Sequence, residues 1–192
     1  MPDTRRHHFT RRIAPLLVAL SAIMGAAGQP RPAAAATTAA PARSDISDSA
    51  TYLTYTAPRY RVEYIEGWGR QGVGSTVTFS DKDSLERVVL LPTPRGSLEA
   101  FVRGPELTAL RHAGATRIGS IRTVSLRGGR GVYLQYTIPS ASNPVTGKVV
   151  PLLTDRYYLA GPRQLAMLTL ASPVGDDNVD AFRRIASSFG WG

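Results

Sequence analysis

Arg127-Gly128-Gly129-Arg130-Gly131-Val132-Tyr133-Leu134-Gln135-Tyr136-Thr137-Ile138-Pro139 decides the fold class. Val132, Leu134, Tyr136 and Ile138 fall on one side of a period-two alternation, and Tyr133, Gln135 and Thr137 on the other. That is the repeat of a β-strand, whose successive side chains point to opposite faces. The Gly-Gly pair before it tolerates the positive φ angles of a tight hairpin, so Arg117–Leu126 reads as the strand paired with it. The domain is therefore built on antiparallel ribbons.

Working outward, Lys148–Ala160 and Gln164–Ala171 form a further hairpin across Gly161-Pro162. Upstream, Val73, Ser75, Val77 and Phe79 alternate with Gly74, Thr76 and Thr78. Glu86–Leu91 is a short apolar strand ended by Pro92-Thr93-Pro94, where proline removes a ladder donor. From Ser97 to His112 the spacing becomes helical through Leu98, Phe101, Val102, Leu107 and Leu110. Gly104-Pro105 interrupts it, which predicts a short helix or turn followed by a second helix. Val179, Phe182, Ala186 and Phe189, with Ile185 beside them, predict a terminal helix. Asp176 and Asp177 near its start suit the helix dipole. The expected fold class is α+β, an antiparallel β-sheet covered by helices. No β-α-β unit recurs, which argues against a doubly wound parallel sheet.

The chain divides into three parts. Residues 1–36 read as an export signal peptide: Arg5, Arg6, His7, His8, Arg11 and Arg12 precede an apolar run, Ile13–Ala27, and an alanine tract, Ala33–Ala36, offers a cleavage site. The apolar run is 15 residues long, short of the roughly 20 that span a bilayer. A twin-arginine route and a retained anchor are the alternatives. Residues 37–51 read as a flexible linker, too poor in apolar surface to offset chain entropy. Residues 52–192 are the folded domain, near the commonest domain size.

The formal net charge is +9, of which the signal carries +4 and the remainder +5. Apart from Lys82 and Lys148 the basic residues are arginines. A modest excess favours acidic partners or anionic surfaces. No basic run interleaves with aromatics as a nucleic-acid platform would, so nucleic-acid binding is not expected. There is no cysteine, so neither disulfides nor thiolate metal sites stabilise the domain.

Reactive side chains are scarce. His112 is the one histidine past the signal, and a Ser-His-acid arrangement would have to use it. Its place at a helix end suits the last carbonyls instead. Asp81-Lys82-Asp83 with Glu86 could gather around calcium, but lacks the glycine turn and terminal glutamate of a twelve-residue calcium loop. Gly72-Val73-Gly74-Ser75 lacks the lysine and glycine spacing of a phosphate loop. No catalytic residue, metal ligand or cofactor is assigned. Interaction candidates are Arg127 and Arg130, whose guanidinium forks can pair a partner's carboxylates, and Trp68, a residue type that often anchors interfaces.

One resemblance covers nearly all of Tyr52–Trp191. The pieces are Tyr60-Arg61-Val62-Glu63-Tyr64-Ile65 leading to Gly67-Trp68, Gly74-Ser75-Thr76-Val77-Thr78-Phe79-Ser80-Asp81, and Val88-Val89-Leu90. Gly104-Pro105-Glu106, Tyr133-Leu134-Gln135-Tyr136, Tyr157-Tyr158-Leu159 and Phe182-Arg183-Arg184-Ile185-Ala186-Ser187-Ser188-Phe189 follow. In their order they resemble the PsbP family. The resemblance implies an α/β/α sandwich around an antiparallel sheet and members that are mostly non-catalytic, the photosynthetic ones attached to the lumenal face of photosystem II. Their binding residues do not carry over, because the matching positions are mainly apolar or in turns. The expected function is an exported, non-catalytic binding or accessory domain that docks on a protein or a membrane-associated complex. The alternatives are an extrinsic photosystem II-type protein supporting calcium retention, the one reading that would involve calcium, and an extracellular hydrolase.

Overall fold

The computed structural model describes residues 45–192. The expected signal, residues 1–36, and the linker up to residue 44 lie outside the described residues. The chain runs through β1 (Tyr52–Ala57), β2 (Tyr60–Ile65), β3 (Gly69–Val73), β4 (Thr76–Asp81) and β5 (Ser84–Pro92). A helical stretch follows, α1 (Leu98–Phe101) and α2 (Leu107–His112), then β6 (Arg122–Leu126), β7 (Gly129–Pro139), β8 (Pro151–Ala160) and β9 (Gln164–Pro173). The last elements are α3 (Val179–Ser188) and β10 (Gly190–Trp191).

Seven strands form one antiparallel sheet in the order β3-β4-β5-β9-β8-β7-β6. Three more form a small sheet, β1-β2-β10. The fold is α+β, with the large sheet as its middle layer.

Cross-strand register assigns each residue to a face. Val132, Leu134 and Tyr136 of β7 share one face with Tyr158 of β8 and Leu165 of β9. That face is closed by Val102 and Leu110, with Leu98, Phe101 and Leu107 packed beside them. The opposite face carries Val77, Phe79, Val88, Leu159, Ala166, Leu168 and Leu170. It is closed by Phe182, Ile185 and Ala186 of α3 and by Tyr60 and Val62 of the small sheet. The residues of β7 that alternate with the first set, Tyr133, Gln135 and Thr137, thus lie on the second face.

Of three local expectations one holds and two change. The short helix α1 gives way to a second, α2, at Gly104-Pro105, where Val102–Glu106 is a π-helical turn joining the two. Proline has no N–H and its ring crowds the carbonyl four residues back, and the wider turn accommodates both. Ser97 starts the stretch by accepting the Ala100 N–H at 3.1 Å. The run Val73–Phe79 is not one strand. Gly74 takes φ +66 and reverses the chain, so Val77 and Phe79 enter the core while Val73 lies on the edge strand at 72 % exposure. The strand expected over Arg117–Leu126 begins at Arg122, because Arg117 is at φ 46.

Packing begins before Tyr52. The Ile46 N–H donates to Asn178 Oδ1 at 2.7 Å, the Asp177 N–H to Asp45 Oδ1 at 2.9 Å, and Ile46 and Ala50 pack against the core. No helix among the described residues is long and apolar enough to cross a membrane.

Candidate docking surface

Arg127 and Arg130 both lie exposed at the β6–β7 hairpin, where Leu126 pairs with Gly129 across a two-residue tip. The two glycines serve different ends. Gly129 takes φ +113, the conformation that L side chains rarely adopt. Gly128 has no such angle, and a Cβ there would sit 2.7 Å from Cδ1 of Phe189. The tip is therefore pressed onto the end of α3, and Arg127 is carried with it.

This contact brings Arg127 to a cleft of about 280 Å³ that it shares with Thr54, Arg61, Glu63 and Ser188. Glu63 is already engaged: its carboxylate accepts from Arg184 Nε at 2.8 Å, and its N–H donates to Ser188 Oγ at 2.8 Å. The Arg184 guanidinium lies 3.8 Å from the centre of the Tyr52 ring, which fixes it in place. Among the described residues neither Arg61 nor Arg127 is in an ion pair. Two free guanidinium groups thus reach one cleft from β2 and from the hairpin, more than 60 residues apart in sequence.

On β7 and β8, next to β6, the face of the large sheet that α3 and the small sheet cover turns polar. Tyr133 Oη donates to Asp155 at 2.6 Å and Gln135 Nε2 to the same oxygen at 2.9 Å. Arg122 lies 4.8 Å over the Tyr133 ring, and the Tyr133 and Tyr157 rings are 5.0 Å apart. Burial, then the hydrogen bond to Asp155, push the Tyr133 phenol well up. Tyr157 is pushed up to about 12, first by burial and then by Asp155, against Arg122 and Arg183. Both phenols stay neutral at physiological pH and add no negative charge to that of Asp155.

A buried polar cluster sits on the other face, under the π turn. Arg156 of β8 binds Glu106 of that turn at 2.9 Å and donates from Nε to Thr169 at 3.2 Å. The guanidinium is 5.2 Å from the centre of the Tyr136 ring. Burial pulls the Arg156 pKa down, and Tyr136, Tyr158 and Glu106 outweigh it. The Tyr136 phenol is pushed up to about 12, by burial first. The cluster fastens the helical stretch to the sheet; it lines none of the clefts described here.

Trp68 is half-buried, packed against the core, and lines a different cleft from Arg127. His112 is exposed at the end of α2. The carboxylates considered for calcium do not converge: Asp81 and Asp83 are exposed at the β4–β5 turn, whereas Glu86 is fully buried among Phe79, Val88 and Leu170. Among the described residues no three His, Cys, Asp or Glu side chains are placed to hold a metal ion. Arg61 was not singled out from sequence, and Glu86 was considered only as a calcium carboxylate, not as a buried group. Arg61 stood inside a quoted segment, but only the pairing of β2 with β10 and the docking of the hairpin give it a role.

No family model matches the chain. No curated protein matches it in sequence. The match is in the fold. The solution structure of cyanobacterial PsbP (CyanoP) from Synechocystis sp. PCC 6803 superposes with a TM-score of 0.55 at 16 % identity, over 74 % of this chain and 93 % of that one. A crystal structure of a Bacteroides thetaiotaomicron protein aligns at a TM-score of 0.42 and 12 % identity, over 69 % of this chain and 45 % of that one. The chain has the PsbP-like fold.

Proposed function

We propose that this protein is an exported, non-catalytic binding module that docks an acidic surface of a protein or membrane-associated complex through Arg61 and Arg127. The observation that carries this reading is the meeting of two arginines without ion-pair partners in one cleft. Guanidinium forks pair carboxylates in bidentate fashion, and two of them in a fixed cleft add direction to charge. Arg122, opposite Tyr133, adds charge on the face that α3 and the small sheet cover, whereas Arg130, on the face of Val132 and Leu134, points away from it. His112, on which a Ser-His-acid arrangement would depend, lies in the open at a helix end, which favours docking over that chemistry.

The test is affinity capture from membrane extracts with the domain and with Arg61→Glu/Arg127→Glu. Specific proteins held by the domain, released by moderate salt and missed by the double variant, are the expected result. Identical captured sets from both would sink the reading. The fold shared with cyanobacterial PsbP favours a second reading, attachment to photosystem II as an extrinsic subunit. Recovery of photosystem subunits in the same capture would select it.

A further inference from the structure

A second cleft, of about 380 Å³, has the opposite polarity. It lies between the β2–β3 turn, the β4–β5 turn and residues 45–50. Asp45, Glu66 and Asp81 border it against a single cation, Lys82. Trp68 forms part of the wall. Ser84, 3 % exposed, also borders it, and its hydroxyl has no hydrogen-bond partner among the described residues. Native structures leave few buried hydroxyls in that state, and each asks for a missing group.

A compact metal ion does not suit the cleft, since it needs several oxygens converging on one point. A diffuse cation does. A guanidinium or ammonium group presents several N–H donors, which carboxylates and a serine oxygen accept. An indole face attracts the same cations through its quadrupole. We propose that this cleft binds an organic cation, the guanidinium or ammonium head of an arginine or lysine side chain on a partner protein. Trp68 stacks on it, Glu66 and Asp81 balance its charge, and Ser84 accepts one of its N–H groups. Lys82, exposed at the turn with φ 51, is a like charge on the rim and limits affinity. The site stands independently of the arginine cleft.

The chain has two tryptophans, so two indole N–H signals are read by nuclear magnetic resonance in the full domain, and Trp191→Phe assigns Trp68. The probes are N-acetyl-arginine amide, N-acetyl-lysine amide, the uncharged N-acetyl-norleucine amide, and spermidine as a free polyamine. A saturable shift of the Trp68 signal with the arginine and lysine probes is expected, with no shift from norleucine. Binding weakens about tenfold or more in Glu66→Gln/Asp81→Asn, which removes two charges, and tightens in Lys82→Ala. Spermidine binding without either amino-acid probe would overturn the assignment to a protein side chain. The site itself is overturned by no saturable shift up to about 10 mM probe, by an equal shift from norleucine, or by unchanged binding in the double variant.

Discussion

Glu86 makes the folded protein sensitive to pH in a calculable direction. It is 0 % exposed, and among the described residues neither carboxylate oxygen has a hydrogen-bond partner. Phe79 and Leu170 flank it across the strands, Tyr60 is the titratable neighbour it acts on, and no cation among the described residues offsets it. Desolvation therefore raises its pKa well above the ordinary 4.5. In the unfolded chain the carboxyl ionises near its ordinary value. The folded state keeps the proton over the interval above that value, so the native form binds more protons and stability falls as pH rises. The slope is about 1.4 kcal/mol per pH unit, and it ends at the raised pKa. For a domain of this size that is roughly 3–5 °C in Tm per pH unit. The assay is urea unfolding of the wild type and of Glu86→Gln at half-unit steps from pH 4.5 to 8.5. The difference between the two curves should be small at the acid end and grow in favour of Gln with pH. Glu86→Met, which removes the unpaired polar group, should gain about 1–3 kcal/mol at pH 8. A difference curve flat across this range would refute the reasoning, because an ordinary carboxyl would then be sitting in the core.

Two further outcomes follow from the packing. Arg156→Ala leaves Glu106 half-enclosed without its counter-charge and should cost on the order of 3 kcal/mol, while Arg156→Met/Glu106→Leu recovers most of it, both measured by urea unfolding. Gly128→Ala drives a Cβ to 2.7 Å from Phe189 and should cost about 1–3 kcal/mol, and Phe189→Leu in that background should restore part of the loss, read from thermal unfolding.

The parts of the fold legible in sequence are those where one residue's neighbours set its face. Val132, Leu134 and Tyr136 alternate cleanly with Tyr133, Gln135 and Thr137 because one face of β7 packs in the apolar core while the other carries hydrogen-bonded polar groups, which fixes the register. The amphipathic spacing of Phe182, Ile185 and Ala186 gave α3 for the same reason. Val73 misled, because the period-two pattern is blind to a reversal at a single glycine, Gly74, and Val73 ends an edge strand that is exposed throughout. The small sheet was invisible: its closing strand is two residues long, and Trp191 meets Tyr60 from the far end of the chain. Glu86 was read with Asp81 and Asp83 as a surface carboxylate because charge normally marks exposure, and here burial won. Arg127 was legible as an exposed hairpin arginine, but its neighbour Arg61 is supplied by tertiary packing, which local sequence does not encode.

Both candidate sites lie on the rim for one physical reason. The large sheet is covered on both faces, by the helical stretch on one side and by α3 with the small sheet on the other, so little of its interior can meet another molecule. What is left to function is the set of turns, and there the charges separate by sign: arginines at the β6–β7 hairpin, carboxylates at the β2–β3 and β4–β5 turns. Loops held by a rigid scaffold are where binding residues concentrate. The separation also divides the expected consequences of mutation. Exposed rim substitutions such as Arg127→Glu or Glu66→Gln stay within about 0.5 kcal/mol in stability. Core and pin residues such as Arg156 change stability and reach binding only through it. A rim variant that loses capture while keeping the wild-type Tm therefore identifies a contact surface, whereas one that loses both identifies only a damaged fold.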